Sequence, residues 1–159
     1  MEKIAALIAT FFGVGKSPKA PGTFGTLAAI PLALALNHLG PFYIMGFVLL
    51  FLPVSVWASG LHAQQLGKDD PGEIVIDEVL GFLITMTWLP MSWQAYLVGF
   101  LLFRVLDIFK PFPIGYLDKR IPGGWGVMAD DIAAGIIANI ILQILYVKTA
   151  WLGVQNPWM

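Results

Sequence analysis

The chain has 159 residues, of which 58% are hydrophobic and only 12% charged, with a formal net charge of −1 and no cysteine. A soluble domain is typically ~25% charged, so these residues are too few to cover a water-facing surface, and one polytopic membrane domain over residues 1–159 is expected. The balanced charge and the lack of basic clusters argue against nucleic acid, and the missing cysteines exclude disulfides, thiolate metal sites and cysteine nucleophiles.

The first segment, Met1 to Gly13, carries Lys3 and a short apolar run with no small-x-small cleavage site. It reads as a retained amphipathic helix at the membrane interface. Gly13 to Thr26 holds four glycines and two prolines and is expected to be irregular. A helix is expected to begin between Thr23 and Thr26, capped by a threonine. It should run to about Asn37, with Pro31 kinking or breaking it. Asn37 to Pro41 is a turn. The second apolar run, Phe42 to Leu61, is long enough to span.

The polar stretch Gln64 to Glu73 leads into a third run, Ile74 to Leu89. A fourth runs from Trp93 to Phe109 and stops at Lys110-Pro111. Residues 110–129 hold three prolines and four glycines and read as a loop. The fifth run is Asp130 to Val147. Trp88, Trp93, Trp151 and Trp158 fall near run ends, as interfacial aromatics do. The expected fold is all-α: a compact bundle of about five apolar helices plus the N-terminal amphipathic helix. Whether runs 23–37 and 74–89 cross the bilayer or enter partway is open. A soluble helical domain with an apolar surface is the rival, because several runs are shorter than the ~20 residues of an ideal span.

Basic residues alternate between connections. Lys16 and Lys19 precede the first run, Lys68 lies between the second and third, and Lys110, Lys119 and Arg120 lie between the fourth and fifth. The turns at 37–41 and 89–93 carry no Lys or Arg. This alternation is the positive-inside pattern. It places Gly13–Thr26, Asp69–Glu78, Arg104–Lys110 and Gly123–Asp131 together on the cytoplasmic face.

The acids gather in those same stretches. Five of the ten Asp and Glu lie between positions 69 and 78. Asp77 and Glu78 sit among Ile74, Val75, Ile76, Val79 and Leu80. Acids near a helix start can merely offset its dipole, but two acids embedded in an apolar run point to metal or catalytic use. Asp130 and Asp131 repeat the device at the start of the fifth run. Asp131, Gly135, Asn139 and Gln143 follow at four-residue spacing. That stripe reads as helix packing, with Asn139 and Gln143 bonding across helices. Arg104, Asp107 and Lys110 recur at i+3. They form either an intrahelical ion pair or a functional set: Asp107 as metal ligand or acid–base group, Arg104 and Lys110 as phosphate partners.

Gly15-Lys16-Ser17 is no nucleotide-binding loop, because Thr10 stands where that motif requires glycine. The stretch Gly22 to Thr26 leads into a helix whose free N–H groups suit an anion, with Thr23 at its head and Lys16 or Lys19 assisting. His38 falls in the turn expected on the opposite face, away from the chemistry, His62 reads as a surface histidine near the cytoplasmic end of the second run, and no Ser-His-Asp triad is supported. Oxygen ligands without cysteine favour Mg2+. Magnesium beside Arg and Lys favours a phosphorylated substrate, and the membrane setting favours a lipid phosphate.

Four stretches carry a family resemblance: Gly15–Pro18 with Ala20–Ala28, Ile74–Glu78 with Gly81, Phe103–Pro111, and Gly123–Met128 with Asp130–Gly135. In order and content they resemble the phosphatidylglycerophosphatase A proteins. The resemblance implies an all-helical, Mg2+-dependent enzyme of the bacterial inner membrane. Such an enzyme hydrolyses phosphatidylglycerophosphate to phosphatidylglycerol and inorganic phosphate. Asp77, Glu78, Asp130 and Asp131 would hold one or two Mg2+. Arg104 and Lys110, with Lys16 and the Thr23 loop, would hold the phosphate. Asp107 would complete the metal site or handle a proton. Attack by water and an aspartyl-phosphate intermediate are both open. A lipid phosphotransferase is disfavoured, since no Asp-Gly-x-x-Ala-Arg signature occurs. A small transporter or structural membrane protein is the alternative from another class, and it predicts acids spread through the bilayer depth.

Overall fold

The computed structural model describes residues 1–118 and 121–153, the side chains of 117 and 118 excepted. Trp158, expected at an interface, and Lys119 and Arg120, counted in the basic connections, lie outside the described residues. Regular structure among the described residues is entirely helical. The helices are α1 Glu2–Ala9, α2 Pro21–Leu39, α3 Pro41–Leu66, α4 Ile76–Met86, α5 Trp93–Phe109, α6 Ile114–Asp118 and α7 Gly123–Lys148.

Among the described residues three helices are long and apolar enough to cross a membrane: α2, α3 and α7. The five apolar runs therefore do not make five equal spans. With 11 residues, α4 is roughly 16 Å long at 1.5 Å per residue, about half the ~30 Å hydrocarbon core. It is instead the buried centre, with nine of its eleven residues buried. Its most extensive contact is with α7, and it also packs on α2, α3 and α5. The core around it includes Phe82, Phe103, Leu80, Leu83, Met86 and Leu142.

Several boundaries depart from expectation for physical reasons. Helix α2 starts at Pro21, whose missing N–H has no partner to lose in the first turn. Its cap is Ala20 in the left-handed conformation, φ 46°, not a threonine. Thr26 is buried inside the helix, and its hydroxyl donates to the Gly22 carbonyl at 2.9 Å. Pro31 does not interrupt α2. The glycine-rich stretch before it holds a short 3-10 turn, Val14–Lys16. Residues 110–129 are not one loop. They contain α6, and α7 begins at Gly123, about two turns before Asp130. The glycines there serve close packing: a side chain at Gly124 would collide with the Val56 carbonyl of α3, and one at Gly126 with the Ile121 carbonyl.

Helix α1 buries only Ala5 and Ala9, with α3 as its main partner, and leaves Ile4 and Leu7 exposed. The outward faces of α3, α5 and α7 likewise present large apolar side chains, among them Leu50, Ile108 and Ile144.

Candidate active site

The site grows out of the crossing between α4 and α7. Each helix carries an aspartate one turn before a glycine: Asp77 before Gly81, and Asp131 before Gly135. A side chain at Gly135 would run into the Gly81 carbonyl. One at Gly81 would meet the Phe103 ring at 2.7 Å and the Asp131 carbonyl at 2.8 Å. The bare backbones let the helices close, and residues one turn back on each helix then face one another. Asp77, Glu78 and Asp131 thus offer oxygens within 4.8 Å of one another.

Helix α5 brings the second half. Arg104 and Asp107 pair at 2.5 Å, so the bland i,i+3 reading is also present. The same Arg104 nitrogen lies 3.6 Å from Glu78 Oε1, which ties α5 to α4. Lys110 follows the end of α5 in the left-handed conformation, φ 43°, uncommon for a residue with a side chain. Its ammonium donates to Asp130 Oδ2 at 2.6 Å. Asp107, Asp130 and Asp131 form a second group with oxygens within 4.8 Å.

Helix α2 closes the site from its N-terminal end. Gly22 sits against Glu78: a Cβ there would fall on Glu78 Oε1 and lie 3.1 Å from the Arg104 guanidinium. Thr23, half-buried, is the next residue. Gly25 packs on Val75, where a Cβ would be 2.7 Å from the valine Cβ. The four stretches expected to share one face therefore supply one locus, and all five singled-out acids belong to it. Lys16 does not join it by any ion pair among the described residues and is exposed.

The cluster is buried, and several of its carboxylate oxygens meet no donor. Asp77, Asp130 and Asp131 are 8%, 6% and 2% exposed. Oδ1 of Asp77, Oδ1 of Asp131 and Oε2 of Glu78 are buried without a hydrogen-bond partner. An ionised carboxylate oxygen held this way costs several kcal/mol. A divalent cation removes that cost, and an all-oxygen donor set suits a hard cation such as Mg2+. The residues present fit such an ion.

One contact was not foreseen. His62 is not a surface histidine. It is 5% exposed on α3, and its Nε2 lies 2.6 Å from Glu73 Oε1, with Nδ1 3.3 Å from Gln65 Oε1. Together with Gly15, whose Cα packs against the Glu73 carbonyl, it pins the segment that leads into Asp77 and Glu78. His38 is exposed and lies in the last turn of α2 rather than in a connecting turn.

A model of the phosphatidylglycerophosphatase A family matches residues 7–146. The chain belongs to this family. It is 41% identical over 141 residues to phosphatidylglycerophosphatase A of Escherichia coli strain K12, covering 87% of this chain and 81% of that protein. The Haemophilus influenzae phosphatidylglycerophosphatase A is 39% identical over 138 residues, 86% of this chain and 85% of its own. A Bacteroides thetaiotaomicron protein, named provisionally as a phosphatidylinositol-3-phosphatase, is 36% identical over 149 residues, 89% and 92% of the two chains. No solved structure matches the chain. The family match covers α2 to α6 and all but the last two residues of α7, and so every residue of the acid cluster.

Proposed function

We propose that this chain hydrolyses the terminal phosphate of phosphatidylglycerophosphate, giving phosphatidylglycerol and inorganic phosphate, with Mg2+ as cofactor. The observation that carries the reading is five buried or half-buried carboxylates gathered around Arg104 and Lys110 in a member of this family. A transporter would spread its acids through the bilayer depth, whereas these meet at one place.

Each group has a part. Asp77, Glu78, Asp130 and Asp131 hold the cation. A bound Mg2+ supplies charge neutralisation and polarises phosphoryl oxygens. Arg104 and Lys110 bind the phosphate oxygens and stabilise charge that grows on them, with Thr23 and Lys16 at the mouth. Asp107 completes the metal site or holds a proton. Water forms the new bond to phosphorus, the bond from phosphorus to the glycerol oxygen breaks, and that oxygen takes up a proton. The buried cluster excludes bulk water, which strengthens every charge–charge contact within it.

In this reading α5 joins α2, α3 and α7 in the bilayer, α4 enters partway, and α1 lies at the interface with Ile4 and Leu7 in lipid. The basic connections that carry Lys16, Lys19, Lys68 and Lys110 support a site on the cytoplasmic face of the bacterial inner membrane, by the positive-inside pattern.

The test is phosphate release by purified protein from phosphatidylglycerophosphate and, separately, from phosphatidylinositol 3-phosphate, with Mg2+ or EDTA, for wild type and Asp131→Asn. The expected result is Mg2+-dependent release from the glycerol lipid that falls about 100-fold in the variant, the upper range for losing a supporting group at a metal site. Release that ignores both changes overturns the metal reading. Release from the inositol lipid alone overturns the substrate.

A further inference from the structure

Asp131 belongs to both groups of carboxylates. Asp77, Glu78 and Asp131 close on one point, and Asp107, Asp130 and Asp131 on another. An acidic cluster alone is no site. Here two of the acids, Asp77 and Asp131, are more than nine-tenths buried and keep Oδ1 atoms that nothing in the described chain satisfies. Against five carboxylates the ion pairs among the described residues set two basic groups, Arg104 and Lys110. One divalent cation leaves that set short of neutral. Two bring it slightly positive, which suits a phosphate monoester.

The two halves differ. In the second group Asp107 and Asp130 are already paired, with Arg104 at 2.5 Å and Lys110 at 2.6 Å. In the first group Asp77 has no ion pair among the described residues, and Glu78 has only the 3.6 Å contact with Arg104. A cation entering the second group must compete with side chains already in place, so its net gain is smaller.

We propose that Asp131 bridges two divalent-cation positions of unequal affinity, a tight one at Asp77, Glu78 and Asp131 and a weaker one at Asp107, Asp130 and Asp131. This rests on the metal-dependent reading above and goes beyond it by fixing the number of ions and the role of Asp107. Filling the weaker position displaces Arg104 and Lys110 from their acids and turns them toward the phosphate. Paired ions in such centres sit ~3.5–4 Å apart, a separation that one carboxylate can bridge.

Mn2+ is the probe, since it shares the preference of Mg2+ for oxygen ligands. Equilibrium binding and electron paramagnetic resonance are recorded on the full chain in detergent. Wild type is expected to take up two Mn2+ in two steps, with an exchange-coupled signal at saturation. Asp107→Asn should keep the tight step unchanged, lose the weak one, and show an isolated-ion signal. Asp130→Asn should do the same, so a folding failure in one variant leaves the other to decide. Asp77→Asn should weaken the tight step by at least the roughly 10–100-fold that a lost supporting group costs. One Mn2+ per chain, untouched by Asp107→Asn but lost in Asp77→Asn, overturns the paired centre and leaves the metal-dependent phosphatase standing. Two ions with magnetically isolated signals overturn the bridge. No Mn2+ binding in wild type overturns both readings.

Discussion

Gly135 of α7 packs against the carbonyl of Gly81 on α4 so closely that no side chain fits at position 135. Each glycine follows an aspartate by four residues, Asp131 and Asp77. The spacing is one helical turn, so the contact that sets the crossing also sets the distance between the acids. The site is in this sense a by-product of a two-glycine crossing.

Substituting Gly135→Val tests that link. The added branched side chain cannot occupy the Gly81 carbonyl position, so the helices must part. Overpacking of this kind costs about 1–3 kcal/mol. The acid groups separate with the helices. The expected outcome is a lower unfolding midpoint in detergent, retained helix content by circular dichroism, and loss of phosphate release. A variant with full activity would show that the crossing does not hold the site.

Gly22→Ala acts on a single carboxylate. The new methyl falls on Glu78 Oε1, and the flexible glutamate yields by swinging away from Asp77 and Asp131. Activity should fall about 10-fold or more, in the range seen when a supporting group at a metal site is displaced. The unfolding midpoint should change little. Glu78→Asp shortens the side chain by one methylene and makes room, so the double variant should recover part of the activity lost in Gly22→Ala. Two additive losses in kcat would remove Gly22 from any role in placing Glu78.

The convergence at the site was legible in the sequence because two independent signals agreed. Basic connections alternated, and the acids lay next to the basic ones. Helix α5 was legible to the residue, since Ser92 accepts from the Ala95 N–H at 3.1 Å as its cap and Lys110-Pro111 ends it. What misled was glycine. In Gly123-Gly124-Trp125-Gly126 the residues were read as breakers, yet Gly124 and Gly126 are there to admit the carbonyls of Val56 and Ile121. Only a tertiary contact distinguishes the two uses. The depth of α4 was hidden for a related reason. The 16-residue run from Ile74 to Leu89, apolar apart from Asp77, Glu78 and two threonines, fits a span or a buried core helix equally well, and a start at Ile76 with a turn at Thr87 leaves a helix of 11 residues. His62 was misplaced because its partner Glu73 comes from a connection that folds back on α3.

Arg104 joins Asp107 at 2.5 Å and Glu78 at 3.6 Å through one nitrogen. Lysine keeps the charge but lacks the planar fork that engages a phosphate with two parallel bonds. Arg104→Lys should therefore raise KM for the lipid phosphate more than it lowers kcat, with KM rising about 10-fold, equivalent to the ~1.4 kcal/mol of one charge-assisted hydrogen bond. Steady-state kinetics with substrate dispersed at constant surface concentration gives both parameters. An unchanged KM with a collapsed kcat would assign Arg104 to the transition state alone.

The C-terminal end of α4 poses a different problem. It stops inside the bundle, where carbonyls have no water to bond. Asn139 of α7 donates from Nδ2 to the carbonyls of Thr85 at 2.9 Å and Thr87 at 2.8 Å. Gln143, one turn further, donates from Nε2 to the carbonyls of Thr87 at 3.0 Å and Trp88 at 3.3 Å. The polar stripe after Asp131 bonds across helices, as its spacing suggested, and the bonds it makes cap the end of α4. Asn139→Leu keeps the γ-branched shape and removes the donors. It should destabilise the protein by about 1–2 kcal/mol, since a buried carbonyl left unpaired costs ~1–3 kcal/mol and interhelical bonds in membranes average ~0.6 kcal/mol. Because Asn139 lies two turns from Asp131 on α7, activity measured well below the midpoint should stay within a factor of about two, a shift worth less than 0.5 kcal/mol. Thermal unfolding in detergent followed beside phosphate release separates the two effects. A loss of activity without a loss of stability would mean that the end of α4 moves with the chemistry rather than merely anchoring it.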